Sequence, residues 1–416
     1  MGIQNEKSIS TISKQQSIQK MKTVYSILLI LSVVHLLNDA IQALVTAMFP
    51  ILELENGLSY TQIGLIAFAL NMTASVIQPI VGMYTDKKPS PHALPVGMCF
   101  TFVGVVLLAF ASSFLSIIIA VIFIGVGSAT FHPEGARVAH MAAGEKRGLA
   151  QSIFQVGGNA GQALAPIITV VLLVPLGQFG SIYFTIVTGL AIILLLYIVK
   201  WYRGRVNDVQ FRKRNSEEKK FITPIVYKKK IIFGFSLLLF LIFIRSWFNA
   251  GIGSYYQFFA IEEYSLSISK AQSYLFIFLA AGAVGTFLGG PLADRFGKKN
   301  VLIFSMVGAI PFSLLLPHVG AALAYPLMSI IGFITLSSFS VSVVYAQELI
   351  PGRIGVVSGL VTGLAFGMGA IGAVIFGVFA DKIGIYNTIL IAVSLPIIGV
   401  LTLLLPSDKW INKNLK

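Results

Sequence analysis

Gly290-Pro291-Leu292-Ala293-Asp294-Arg295-Phe296-Gly297-Lys298-Lys299 is a short polar loop set between two long apolar stretches. The same frame stands 208 residues earlier as Gly82-Met83-Tyr84-Thr85-Asp86-Lys87-Lys88, and a further echo is Gly377-Val378-Phe379-Ala380-Asp381-Lys382-Ile383-Gly384. Other positions repeat as well. Arg147, Ser152, Gly157 and Gly161 reappear 206 residues later as Arg353, Ser358, Gly363 and Gly367, and the acidic pair Glu53 and Glu55 has a counterpart in Glu262 and Glu263. One half of the chain is therefore built like the other, an organisation common among transporters that place their substrate between repeated bundles.

Around these loops the chain is apolar. Of 416 residues 56% are hydrophobic and 11% charged, against roughly 25% charged in soluble domains. Most of the surface is expected to meet lipid. Stretches long enough to cross a hydrocarbon core of ~30 Å fall at 24–49, 61–83, 93–111, 114–137, 149–173, 181–200, 231–259, 271–292, 300–316, 323–347, 355–378 and 385–405. The fold class predicted is an all-α membrane protein of about twelve transmembrane helices in two pseudo-symmetric six-helix bundles. The expected division is a cytoplasmic tail 1–22, an N-terminal bundle 23–200, a basic cytoplasmic linker 201–230, a C-terminal bundle 231–405 and a tail 406–416.

The net charge of +14 is a topology signal rather than a sign of nucleic-acid binding. With the N-terminus inside, 26 of the 30 lysines and arginines fall in the tails and loops of the cytoplasmic side, 11 of them in 200–230. Positive residues gather on that side of a membrane. The expectation is a multi-pass protein of the cell membrane with both termini cytoplasmic, monomeric, with the bilayer and a small molecule as partners. The first apolar stretch is too long for a cleavable signal. One cysteine, Cys99, excludes a disulfide framework. No enzyme motif is present, no histidine pair stands at zinc-ligand spacing, and no metal or cofactor is expected.

Charges and amides inside apolar spans are costly and mark function. His35, Asn38, Asp39 and Gln42 recur at helical spacing and share one face of the first span. Gln151, Gln155, Asn159 and Gln162 form a stripe on the fifth, Asn71, Ser75 and Gln78 on the second, and Arg245 with Asn249 on the seventh. Gly157-Gly158-Asn159-Ala160-Gly161 follows no strand, so close helix packing is its expected use.

The repeated loop resembles the signature of the major facilitator superfamily. Gly290, Asp294, Arg295 and Gly297 match it nearly in full. Gly82 and Asp86 match a degenerate copy in which Lys87 replaces the arginine and Pro89 a glycine. The resemblance implies that these loops clamp the cytoplasmic ends of the bundles. More narrowly the chain resembles the fosmidomycin resistance protein family, on His35-Leu36-Leu37-Asn38-Asp39, Phe131-His132-Pro133-Glu134-Gly135-Ala136-Arg137, Gly148 to Asn159, and Val344-Tyr345-Ala346-Gln347-Glu348 through Arg353. That implies efflux of a phosphonate antibiotic, driven by protons, and adds His132, Glu134, Arg137, Tyr345 and Glu348 to the substrate and proton pathway. Many drug–proton antiporters carry an arginine ahead of a Gly-x-Gly in the fourth span. Gly125-Val126-Gly127 is present, but Ala120 to Ile124 contains no arginine, so proton coupling must be organised elsewhere.

The reading is secondary active transport, with a proton as coupling ion: export of a small anionic or amphipathic compound. An arginine suits a phosphonate or carboxylate, and a desolvated carboxylate can carry a proton. Arg245 and Asp39 supply one of each, stand at repeat-related positions, and are expected to meet across the axis. The alternatives are an inward organic-anion or phosphate-ester symporter and a non-transporting membrane sensor.

Overall fold

A computed structural model of the chain describes residues 22–88, 90–144, 146–213, 228–350 and 354–415. Among them every regular element is helical. In the first half they are α1 (Tyr25–Ala47), α2 (Phe49–Asn56), α3 (Tyr60–Lys87), α4 (Ala93–Ala109), α5 (Phe114–Ala142), α6 (Arg147–Ile168) and α7 (Phe184–Lys213). In the second they are α8 (Lys228–Tyr264), α9 (Ile268–Phe296), α10 (Lys298–Val307), α11 (Ile310–Leu315), α12 (Ala321–Leu336), α13 (Phe339–Leu349), α14 (Ile354–Ser394) and α15 (Asp408–Leu415). A π-helical turn, Thr169–Leu173, continues α6.

Ten stretches are long and apolar enough to cross a membrane. Ala93–Ala109 is shorter, and the last stretch, Leu360–Leu404, holds two rods that meet at Gly384. Gly384 sits at φ 81°, a backbone that a side chain would strain. The twelve expected rods are thus present. Their starts are written locally: Ser59 with Gln62, and Ser113 with Ser116, form reciprocal capping boxes at the heads of α3 and α5. Two expected boundaries shift. The sixth rod continues beyond residue 200 to Lys213, because basic side chains do not break a helix that has left the apolar region. Residues 214–227 of the basic segment lie outside the described residues. The tail folds back as α15: Asp408 accepts the backbone amides of Lys298 (3.2 Å) and Lys299 (3.1 Å), and Ile411 is buried.

Three apolar cores place the two halves. One belongs to the first half alone, around Leu28, Phe131, Phe154 and Tyr202. Another belongs to the second half, around Leu238, Leu241, Tyr345 and Leu349. Both lie toward the end that carries the basic loops. The third is shared by both halves, joining Ile63 and Ile66 to Phe258, Phe259 and Phe376 at the opposite, far end. So the halves are fused at the far end and separate at the basic end. The pair α3–α14 runs in contact from Tyr60 and Gly377 to Ser75 and Gly367. Beyond it Ile80, Met83, Tyr84 and Leu360 are exposed. Large apolar side chains such as Leu29, Ile186, Ile193 and Phe287 cover the outer surface, as a lipid-facing protein requires.

Candidate functional site

The polar face of α1 closes on a node in the first half. Asp39 is buried, and its Oδ1 accepts from Asn38 Nδ2 (3.0 Å) while Oδ2 accepts from Gln162 Nε2 of α6 (3.0 Å). His35 Nε2 stands 3.4 Å from Oδ2, and His132 Nε2 of α5 stands 3.3 Å from Oδ1. The other nitrogen of each ring is committed. His35 Nδ1 lies 2.7 Å from the Phe154 carbonyl and His132 Nδ1 2.9 Å from the Ser128 carbonyl. A carbonyl can only accept, so both Nδ1 atoms carry hydrogen. Each Nε2 then points a lone pair at a carboxylate oxygen unless a proton or another cation lies between. Among the described residues these three side chains form the one group of histidine and carboxylate atoms close enough to share a cation, all within 4.8 Å of one another.

The surroundings fix the rings. His35 stacks on Phe154 at 4.1 Å between centroids and is tilted against Phe131 at 5.5 Å. Gly158 backs the node: a Cβ there would come within 2.6 Å of His35 and 2.8 Å of Asp39 Oδ2. Gly157 and Gly161 lie against the backbone of Ser32 and Leu36 in the same way, as close helix packing requires. His132 is the accessible member, with its side chain 23% exposed. Gln42 donates to Ser128, whose hydroxyl also meets His132 Nδ1. Spacing alone revealed neither His132 nor Gln162 as a partner of Asp39.

The remaining candidates in this half divide. Glu134 is buried and belongs to a separate network, accepting from the Tyr202 hydroxyl (3.0 Å) and pairing with Arg137 (3.2 Å). Arg137 Nη1 also donates to the Thr85 carbonyl at the end of α3 (2.5 Å). That network ties α3, α5 and α7 together at the basic end. Gln155 and Asn159 are half-buried on the α6 stripe.

In the second half Arg245 is buried and points into its own bundle. Nη1 donates to Ser338 Oγ (2.6 Å) and Ser342 Oγ (3.0 Å), and the guanidinium lies 5.8 Å from the Phe339 ring centre. The expected meeting of Arg245 with Asp39 is therefore corrected. Each has its partners in its own half, because both side chains turn away from the axis. Ser305 and Thr402 line the small cavity beside Arg245. Asn249 is half-buried, and its Oδ1 has no hydrogen-bond partner among the described residues. Tyr345 and Glu348 lie outside the centre. The Tyr345 hydroxyl donates to the Pro406 carbonyl (2.6 Å), and Glu348 pairs with Lys298 (3.2 Å).

The repeated loops sit at the basic end. Asp294 and Arg295 are exposed, and Asp294 makes no ion pair among the described residues. The aspartate of the second copy therefore makes no ion-pair clamp among the described residues. A Cβ on Gly82 would lie 3.8 Å from Pro133, and one on Gly290 would meet open space. Gly297 takes a positive φ of 92° that starts α10. The side chains of Asp86 and Lys87 fall outside the described residues.

Residues 31–373 match the Major Facilitator Superfamily. The chain belongs to that superfamily. It is 53% identical to an uncharacterized MFS-type transporter, YfnC, of Bacillus subtilis (strain 168), over 97% of this chain and 98% of that one. It is 45% identical to the fosmidomycin resistance protein of Escherichia coli (strain K12), over 94% of this chain and 96% of that one. Its fold is similar to an inward-facing, unoccupied bacterial homologue of the human lysosomal transporter Spinster, with a TM-score of 0.74 at 17% identity over 94% of this chain and 98% of that one. The chain is thus a multi-pass transporter of the superfamily, and the two-bundle architecture expected from its repeats is the one it has.

Proposed function

We propose that this transporter exports a small anionic compound of the phosphonate class across the cell membrane in exchange for protons. The observation that carries the reading is the Asp39 node. A buried carboxylate faced by two imidazole nitrogens, each with its other nitrogen bound to a carbonyl, is a place to hold exchangeable protons. The partly exposed ring of His132 is the way in. Likeness to a fosmidomycin resistance protein supports the substrate class and the direction. The membrane potential favours anion export by about 2.3 kcal/mol per charge at 100 mV.

Arg245 supplies fixed positive charge to the other half. Had it paired with Asp39, an anion arriving at Arg245 would have weakened its pull on the acid and drawn a proton in. Anion and proton would then travel together. Separate partners remove that direct tie, and exchange runs through the conformational change. With the termini inside the cell, the basic end opens to the cytoplasm, Asp39 gives up its proton there, and the substrate anion enters between the halves. At the far end the anion leaves and a proton returns.

Expression in a susceptible host should raise resistance to fosmidomycin. In everted vesicles fosmidomycin should collapse a preformed proton gradient, and Asp39→Asn should abolish the collapse while protein remains in the membrane. Proton movement that survives Asp39→Asn but is lost in Glu134→Gln would move the proton carrier to Glu134.

A further inference from the structure

The third copy of the repeated motif, Gly377 to Gly384, sits at the far end, away from the other two. Its aspartate has a partner in the opposite half. Asp381 Oδ1 accepts the backbone amide of Tyr60 (2.9 Å), and Oδ2 accepts the amide of Thr61 (2.8 Å) and the Thr61 hydroxyl. Tyr60 and Thr61 are the first two residues of α3. Ser59 already caps this helix from within its own half through Gln62. Asp381 therefore takes the amides that the local cap leaves open and sets a carboxylate on the positive end of the helix dipole.

The motif's glycine serves the same contact. A Cβ on Gly377 would lie 2.4 Å from the Tyr60 carbonyl, and one on Gly64 would lie 2.5 Å from the Ala373 carbonyl. The Tyr255 hydroxyl bridges the carbonyls of Ala373 (2.6 Å) and Tyr60 (3.3 Å). The other seam between the halves, where α6 meets α9, has no hydrogen bond across it among the described residues. On that side the halves are tied through α1 instead: Gln272 of α9 donates to the Ala47 carbonyl (2.6 Å) and Gln257 of α8 to the Thr46 carbonyl (3.0 Å), neutral amides where the α3–α14 seam uses a carboxylate. Acids also oppose one another at the far end. Glu262 accepts from the Tyr60 hydroxyl, and burial first, then Glu262, raises the Glu53 carboxyl above its usual range.

We propose that Asp381 is the positioning residue of the far-end seal, a cap from one half on a helix of the other, and that this cap breaks whenever the far end opens. The proposal goes beyond the exchange reading, since it holds for any substrate and either direction of transport. It gives the repeated motif a second use. At the basic end Asp294 of the second copy makes no ion pair among the described residues. At the far end its third copy is engaged in the same conformation. The two uses alternate as the molecule rocks.

Spin labels can follow the opening without a substrate. Leu54 and Lys270 are exposed at the far end, one in each half. Labels at Leu54→Cys and Lys270→Cys, with the native cysteine removed by Cys99→Ser, should give a distance distribution dominated by one short population in the purified full chain. Asp381→Asn keeps the side-chain shape and removes the charge. It also sets an NH2 group where Oδ2 accepted the Thr61 amide and hydroxyl, so the ratio of long to short distances should rise about tenfold, the size expected for a lost hydrogen bond to a charge. Thr61→Val, which removes only the hydroxyl contact, should shift it less, and Asp381→Glu should fall back toward the wild type. If Asp381→Asn gives the wild-type distribution, or if Thr61→Val shifts it as much, Asp381 is not the seal. Since no substrate is added, neither outcome depends on the phosphonate reading.

Discussion

Asp39 and Arg245 occupy the same place in the two repeats, and the two places have been put to different use. Around Asp39 the partners are two imidazoles, which can gain or lose protons, and two amides that donate hydrogen bonds to it. Around Arg245 they are hydroxyls that only accept its hydrogen bonds, and Ser342 passes its own hydrogen to the Ser338 carbonyl at 2.7 Å. Ser338 stands 206 residues after His132, so even the facing position has been exchanged, a titratable ring for an inert hydroxyl. A guanidinium does not lose its proton in a protein. On the proposed exchange, one half carries a charge that changes and the other a charge that stays. A transporter that couples two species needs both kinds, and a duplicated fold supplies two equivalent positions on which to build them.

Removing each charge and reading the pH profile separates the two nodes most clearly. Asp39→Asn should abolish coupled exchange and flatten the pH dependence of substrate binding. Arg245→Gln should lower the melting temperature and the transport rate at every pH, since Ser338 and Ser342 lose hydrogen bonds from a charge worth about 1.5–3 kcal/mol, while the shape of the profile is kept. A profile altered equally by both variants would mean that the two nodes are not distinct. Gly158→Ala should act on the first node only. The added methyl group meets His35 and Asp39, and overpacking of about 1–3 kcal/mol should lower the melting temperature and uncouple exchange. The smallest effect is expected from Ser342→Ala. Arg245 keeps Ser338, so stability should fall by about 1 kcal/mol, the value of one hydrogen bond, with the pH profile unchanged.

Much of the fold was legible in the sequence because a membrane leaves few choices. Apolar length, basic loops and the 208-residue repeat lead to twelve rods in two bundles. The face of α1 was legible too, since His35, Asn38, Asp39 and Gln42 follow helical spacing. What faces that stripe was not. His132 comes from α5 and Gln162 from α6, and only the packing angles bring them to Asp39. The expected pairing of Asp39 with Arg245 failed for a definite reason. Repeat symmetry says that two positions are equivalent, and equivalent side chains meet only if both point at the axis. Ser338 and Ser342 left a faint signal, two hydroxyls one turn apart in an apolar span. For Asp381 the motif was visible, but its partner is a pair of backbone amides, which no side-chain pattern can announce.

Pro166 gives α6 a mechanical character. Proline has no N–H to offer the carbonyl four residues back, and here that carbonyl belongs to Gln162, whose side chain holds Asp39. A wide π turn follows at Thr169–Leu173. The helix is therefore softest beside the node, where one face receives Asp39 and the rod itself leans on α9 of the opposite half. Such a rod works as a lever with its fulcrum beside the acid. Under the proposed exchange, a proton arriving at Asp39 would alter the grip of Gln162 at that point, and the contact with α9 would carry the change to the other bundle.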